Sequence, residues 1–272
     1  MSFFELDGKK VYYEVHGTGK PILLLNGIMM STLSWKLFLN AFKGNQIILV
    51  DFFDQGNSEK LIDEDYKQDL QVELVYNLIK HLKLDKINVV GISYGGEVAL
   101  QFAVKYQAYI DKLIVFNTAS YTSPWLEDIG RGWIATAETN DANAFYKVTI
   151  PVIYSPDFYT KNIDWMKNRE KLLHQVFKKP FLDAMIRLIK SAEGYDVRNV
   201  LNTIFIPTLL VGAENDYLTP LPEQRFLHTE ITNSKLVIIP GCGHASMYEN
   251  PTVFICLING FVNSDTTVSV LI

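Results

Sequence analysis

Residues 87–104, INVVGISYGGEVALQFAV, hold one serine between two spaced glycines, Gly91-Ile92-Ser93-Tyr94-Gly95. With 16 Gly and 13 Ser in 272 residues, random placement yields about 0.05 such matches, so context must carry the rest of the argument. The serine ends an apolar, strand-like run and opens a helical one. A sharp turn of that kind strains the serine backbone and lets its hydroxyl project from a sheet edge, provided its neighbours carry no side chains in the way. The helix that follows points free N–H groups at any anion forming there. The chemistry this suits is nucleophilic attack. The alternative is an ordinary serine N-cap with glycines for close packing.

A serine hydroxyl needs an adjacent base. Of the five histidines, His81 and His228 lie in helical patterns, His174 in an aromatic-rich middle segment, and His16 at the end of an early strand. His244 alone follows a late apolar run, in VIIPGCGHASMYENP, where Gly241 and Gly243 let the loop turn back. The bland alternative is a surface-loop histidine. An imidazole base also needs a carboxylate to hold one tautomer and stabilise its cation. TLLVGAENDYLTP runs from another apolar stretch into a turn that carries Glu214 and Asp216. Asp216, in Asp-x-x-Thr-Pro just before the next helix, is the preferred acid; Glu214 remains an alternative, and a solvated turn is the plain reading of both.

These residues must be delivered by elements that the hydrophobic pattern predicts. Strands are expected at Val11–Val15, Ile22–Leu25, Gln46–Phe52, Ile87–Ile92, Lys112–Phe116, Thr208–Gly212 and Lys235–Ile239, with Ile, Leu and Val content fitting burial on both faces. Helices are expected at Leu70–Leu82, Gly95–Tyr106, Pro222–Thr229 and Thr252–Val262. The alternation implies an α/β fold with a mostly parallel central sheet and helices on both faces. It stops near Ala119 and resumes near Ile206. The interval is rich in aromatics (Tyr121, Trp125, Trp133, Phe145, Tyr146, Tyr154, Phe158, Tyr159, Trp165), has helical stretches and no convincing strand, and is broken by Pro151 and Pro156. It reads as an inserted helical cap; a plain helical layer is the alternative. The expected organisation is a core of 1–119 and 204–263, a cap of 120–203 and a tail of 264–272.

Composition excludes several classes. The chain is 48% hydrophobic and 20% charged, with a formal charge of −5 and no basic stripe, which argues against a nucleic-acid partner. The start, MSFFELDGKKVYYEV, lacks a secretory signal, and no apolar run is long enough to span a bilayer. Two cysteines, Cys242 and Cys256, make no disulfide framework and are expected to stay reduced, in a cytoplasmic setting. Oligomeric state leaves no trace in the sequence.

With the order Ser93, Asp216, His244, the chain resembles the α/β-hydrolase superfamily, in its small, cap-bearing branch of serine esterases and lactonases, over about Phe3 to Val262. PILLLNGIMMSTLSW looks like the family's oxyanion loop, with Asn26-Gly27 where the family usually has His-Gly. LVDFFDQGNSEK looks like its Asp-x-x-Gly-x-Gly-x-Ser stretch, with Asp51, Asp54, Gly56 and Ser58, and Asn57 in place of the second glycine. The resemblance implies an oxyanion hole made of the backbone N–H groups of Ile28 and Tyr94. It leaves open what replaces the hydrogen bonds of the family's histidine.

The activity expected is hydrolysis of an ester or lactone of a small, largely apolar substrate through an acyl-enzyme, without metal or cofactor. Met29, Trp125, Trp133 and Tyr154 are candidate pocket residues. The same triad serves thioester hydrolysis, carbon–carbon cleavage or perhydrolysis, and a ligand-binding or signalling role with little turnover is the competing class.

Overall fold

Six-residue runs such as Ile87–Ile92 (INVVGI) and Thr208–Ala213 (TLLVGA) are buried at every position. Burial on both faces explains why such strands are continuously apolar and not alternating. In the computed structural model, which describes residues 2–264, the strands are β1 (Ser2–Leu6), β2 (Lys9–His16), β3 (Lys20–Leu25), β4 (Asn45–Val50), β5 (Ile87–Ile92), β6 (Ile110–Phe116), β7 (Thr208–Ala213) and β8 (Ser234–Ile239). They form one sheet in the order β1-β2-β4-β3-β5-β6-β7-β8. β1 and β2 pair antiparallel, as do β2 and β4; the remaining pairs are parallel.

Alternate residues of the central strands feed two cores. Leu23, Leu25, Ile48, Val50 and Val89 pack on one face with α1 (Asp69–His81) and α2 (Tyr94–Tyr106). Ile22, Leu24, Ile47, Leu49 and Val90 pack on the other with α10 (Pro251–Asn263). All seven expected strands and four expected helices are present within a few residues, the remaining helix being α8 (Leu221–Glu230). Three details differ. β1 is not among the expected strands; it is a short edge strand that pairs, among the described residues, with β2 alone. Burial on both faces fails for β2 and β8, which keep partly exposed positions, β8 because it closes the sheet edge. Pro151 lies inside a helix, which ends two residues later at Ile153, whereas Pro156 opens a helix at its first turn, where its missing N–H is not needed.

Between β6 and β7 run α3 (Pro124–Glu138), α4 (Ala142–Ile153), α5 (Pro156–Lys161), α6 (Ile163–Val176) and α7 (Lys179–Ser191). The chain leaves the sheet and returns to it at one place: Thr122 N–H donates to Tyr195 O, and Val197 N–H to Ser120 O. Asp54, after β4, accepts from Arg187 Nε and Nη2 at 2.5–3.1 Å, tying α7 to the sheet's loops. Among the described residues no helix is long and apolar enough to cross a membrane, and both cysteines are unbridged. Most of the 264–272 tail lies outside the described residues.

Candidate active site

Ser93 joins β5 to α2 with φ 52 and ψ −120, a strained backbone for a residue with a side chain. The glycines make that turn possible. A Cβ on Gly95 would stand 2.5 Å from Leu25 O and 2.6 Å from Asn26 O, and one on Gly91 would collide with Gly95 O. Ser93 is half-buried and lines a cavity of about 190 Å³ that also reaches Ile28, Tyr94 and His244.

His244 and Asp216 meet at the C-terminal ends of the last two strands. His244 Nδ1 lies 2.8 Å from Asp216 Oδ2. An ionised carboxylate only accepts, so Nδ1 carries the proton and the Nε2 lone pair is left free. Oδ2 also accepts from Asn117 Nδ2 and Thr219 Oγ1, each at 2.8 Å, and Oδ1 from the Leu218 and Thr219 N–H groups at 2.8 and 3.0 Å. Burial pushes the Asp216 carboxyl up, but the His244 charge and these hydrogen bonds outweigh it and hold the group down at about 2. Glu214 turns outward instead, exposed, and accepts from Gly241 N–H at 2.8 Å. Among the described residues no hydrogen bond joins the Ser93 hydroxyl to His244; both face the same cavity. Such bonds are often long without substrate and tighten when it binds.

The His244 loop is held by the helical layer. Ala245 N–H donates to Ile153 O at 2.9 Å. Glu249, at the end of α9 (Ser246–Glu249), accepts from Gly243 N–H at 3.1 Å and from Ser155 N–H and Oγ at 2.9 and 2.6 Å. Gly243 is required by that approach, since a Cβ there would collide with the backbone N of Ser155 and stand 2.8 Å from Tyr154 C.

Asn26, where the family usually has histidine, is fully buried. Its Nδ2 donates to Val50 O and Gln55 Oε1, and its Oδ1 accepts from Trp35 Nε1 at 2.7 Å. Gln55 Nε2 in turn donates to Gly27 O and Ile28 O, so the amide pair stitches the loop bearing Ile28 to the turn after β4. The Ile28 and Tyr94 N–H groups donate to no protein acceptor among the described residues.

Met29, Trp133 and Tyr154 line the cavity, but Trp125 does not. Trp125 is 61% exposed and its indole N–H donates to Tyr217 O at 3.1 Å, because its place on α3 points it outward. The other histidines are spent elsewhere: His16 on Glu14, His81 on Tyr13, His228 on Ser234, while His174 stands 4.0 Å from Glu170. Residues that sequence reasoning passed over are Asn117, which follows β6 and orients Asp216, Ser246, which donates to Asn117 Oδ1 at 2.8 Å, and Gln55. An asparagine after a buried strand was the available signal for the first.

Glu97, one turn into α2, is buried in the cavity wall, and Gln68 Nε2 donates to it at 2.5 Å. Burial pushes its carboxyl up to about 7, against the Gln68 hydrogen bond and the His244 charge. A carboxyl raised on folding stabilises fully below its ordinary 4.5 and loses that contribution as the pH rises to about 7. The loss is on the order of 3 kcal/mol. Glu97→Gln should therefore flatten the fall in stability between those pH values in urea denaturation. An unchanged pH slope would contradict this assignment.

Comparison with known proteins places this geometry in context. A family model described as alpha/beta hydrolase fold matches residues 20–251. The structure of MGS-M2, an alpha/beta hydrolase enzyme from a Medee basin deep-sea metagenome library, is 48% identical, with a TM-score of 0.97 over 99% of this chain and 100% of that one. 3-Oxoadipate enol-lactonase 1 of Acinetobacter baylyi is 26% identical over 94% of each chain. Lipase 1 of Psychrobacter immobilis is 25% identical over 89% of this chain and 77% of its own. With a family match across most of its length and a close solved relative covered from end to end, the chain belongs to the alpha/beta hydrolase fold family and is an enzyme of that family.

Proposed function

We propose that the protein hydrolyses carboxylic esters or lactones of small, largely apolar acids through an acyl-enzyme on Ser93. One observation carries the reading: the strained Ser93, His244 backed by Asp216, and Ile28 and Tyr94 with their unspent amides come together at one cavity, which Ser93, His244, Ile28 and Tyr94 line. His244 Nε2 takes the Ser93 proton as Oγ bonds to the substrate carbonyl carbon. The carbonyl oxygen becomes an anion between the Ile28 and Tyr94 N–H groups, each donor contributing about a hundred- to a thousandfold in rate. His244 then hands its proton to the departing alkoxide, and the acyl group stays on Ser93. Water, deprotonated by His244, attacks that acyl carbon and releases the acid and the free serine. Asp216 keeps the imidazole in the Nδ1–H tautomer and stabilises its cation at each stage. The cycle calls for no metal or cofactor.

Residues 120–203 act in this reading as a cap inserted in the core. Met29, Trp133 and Tyr154 give the cavity its mainly apolar wall, and about 190 Å³ admits an acyl group of a few carbons, since an engineered 150 Å³ cavity accommodates benzene. The test is a short-chain nitrophenyl ester mixed rapidly with enzyme. A burst of nitrophenolate near one per enzyme, followed by steady turnover, is expected if deacylation is the slower half. Absence of turnover across a panel of esters and lactones would overturn the proposal.

A further inference from the structure

Arg169, on α6, is a cation held without an anion. Its guanidinium carbon lies 4.6 Å from the centre of the Tyr248 ring, 5.3 Å from that of Trp165 and 5.9 Å from that of Tyr154. Among the described residues it makes no ion pair and no hydrogen bond, and its Nε is withdrawn from solvent without an acceptor. The nearby carboxylates are committed elsewhere. Glu170 takes Lys147 at 2.7 Å, and Glu249 takes Ser155 and Gly243. Aromatic faces stabilise a guanidinium from above. They cannot accept its in-plane N–H groups, and a buried donor left unmade costs free energy. Among the described residues no acceptor meets these N–H groups.

Arg169 also lines the cavity that holds Ser93 and His244. Of the charged side chains lining the same cavity, Arg131 is paired with Glu127 at 2.5 Å and with Asp128 at 3.2 Å, Glu193 is exposed, and Glu97 accepts from Gln68. Arg169 is half-buried, and its Nε is out of a ligand's reach, but its two Nη groups have no acceptor among the described residues, and such a pair matches a carboxylate in bidentate fashion.

We propose that Arg169 is a specificity-determining residue that selects substrates whose acyl half carries a second, ionised carboxylate, such as mono-esters of linear dicarboxylic acids. The acyl half is the part retained on the enzyme through both halves of the reaction, so an anchor there positions the carbonyl twice. This rests on the esterase reading of the site.

Two measurements on the whole protein separate the two ideas. The first is kcat/KM for nitrophenyl mono-esters of succinic to sebacic acid, each against its carboxamide isostere. Wild type should prefer the acid about tenfold or more at one chain length at least, through KM. Arg169→Gln should bring that ratio near one, and Arg169→Lys should keep part of it. A wild-type ratio near one at every length, or a ratio untouched by Arg169→Gln, overturns the proposal. The second is calorimetric binding of the free dicarboxylates and their mono-amides to wild type, which needs no turnover. Tighter binding of the diacid, lost in Arg169→Gln, supports the anchor even if every ester is inert. Equal binding of diacid and mono-amide counts against the anchor whatever the esters do.

Discussion

Asp216→Asn should lower kcat/KM by about 10⁴-fold while leaving the protein folded, by analogy with the same change in a serine protease triad. The size of the effect follows from the hydrogen bonds around the carboxylate. Oδ1 faces two fixed backbone donors, the Leu218 and Thr219 N–H groups. An asparagine cannot place its NH₂ there without opposing donor to donor. It must place it at Oδ2, which faces Asn117, Thr219 and His244. The threonine hydroxyl rotates and the Asn117 amide flips at modest cost. The imidazole must then accept at Nδ1, which moves its proton to Nε2 and removes the lone pair that is to activate Ser93. Steady-state kinetics with circular dichroism as a check on folding measures this. A loss below about tenfold would mean that Asp216 does not set the tautomer.

Ser93→Ala should cut kcat by roughly 10⁴- to 10⁶-fold, the range spanned when single members of a serine-protease triad are removed, with the nucleophile at its upper end. The cavity and the two amides persist in the variant, so ester binding should survive while the burst disappears. The methyl group occupies the backbone position that the serine Cβ already occupies, so the strained turn at φ 52 gains no new contact. Residual turnover above about one per cent would point to another nucleophile or to direct attack by water.

What could be read in the chain beforehand was the local part. The Ser93 turn is written in five consecutive residues, and the close approaches of Leu25 O and Gly95 O explain why two of them are glycine. His244 could be picked from five histidines because the others lie in helical or early segments, and the structure places only His244 beside the Asp216 turn. The sequence left Asp216 and Glu214 both open, since they stand two residues apart in one turn. Their difference is one of orientation: Asp216 points into a buried cluster of donors and Glu214 outward to Gly241. The central strands were legible because burial on both faces makes them continuously apolar. β1 was not, because a five-residue edge strand with alternating burial carries little signal.

The non-local part was hidden. Asn117 and Ser246 are 129 residues apart, and Gln55 meets Asn26 across 29 residues, so no spacing rule connects them. Aromatic content marked the helical layer but not which side of each helix faces inward. That is why composition alone puts Trp125 in the pocket along with Trp133, although the two face different ways on one helix; Trp133 is 6% exposed and Trp125 61%. Arg169 gives no signal in the sequence, since what distinguishes it is three-dimensional: aromatic rings around it and, among the described residues, no anion or hydrogen-bond acceptor.

The most direct measurement is covalent trapping. A fluorophosphonate probe reacts with a serine only when a neighbouring base draws off its proton, and tryptic mass spectrometry then names the residue. The account predicts one adduct, on Ser93, formed within minutes at neutral pH and absent in His244→Ala. An unlabelled Ser93 in folded wild-type protein, or labelling that survives removal of the imidazole, would contradict it.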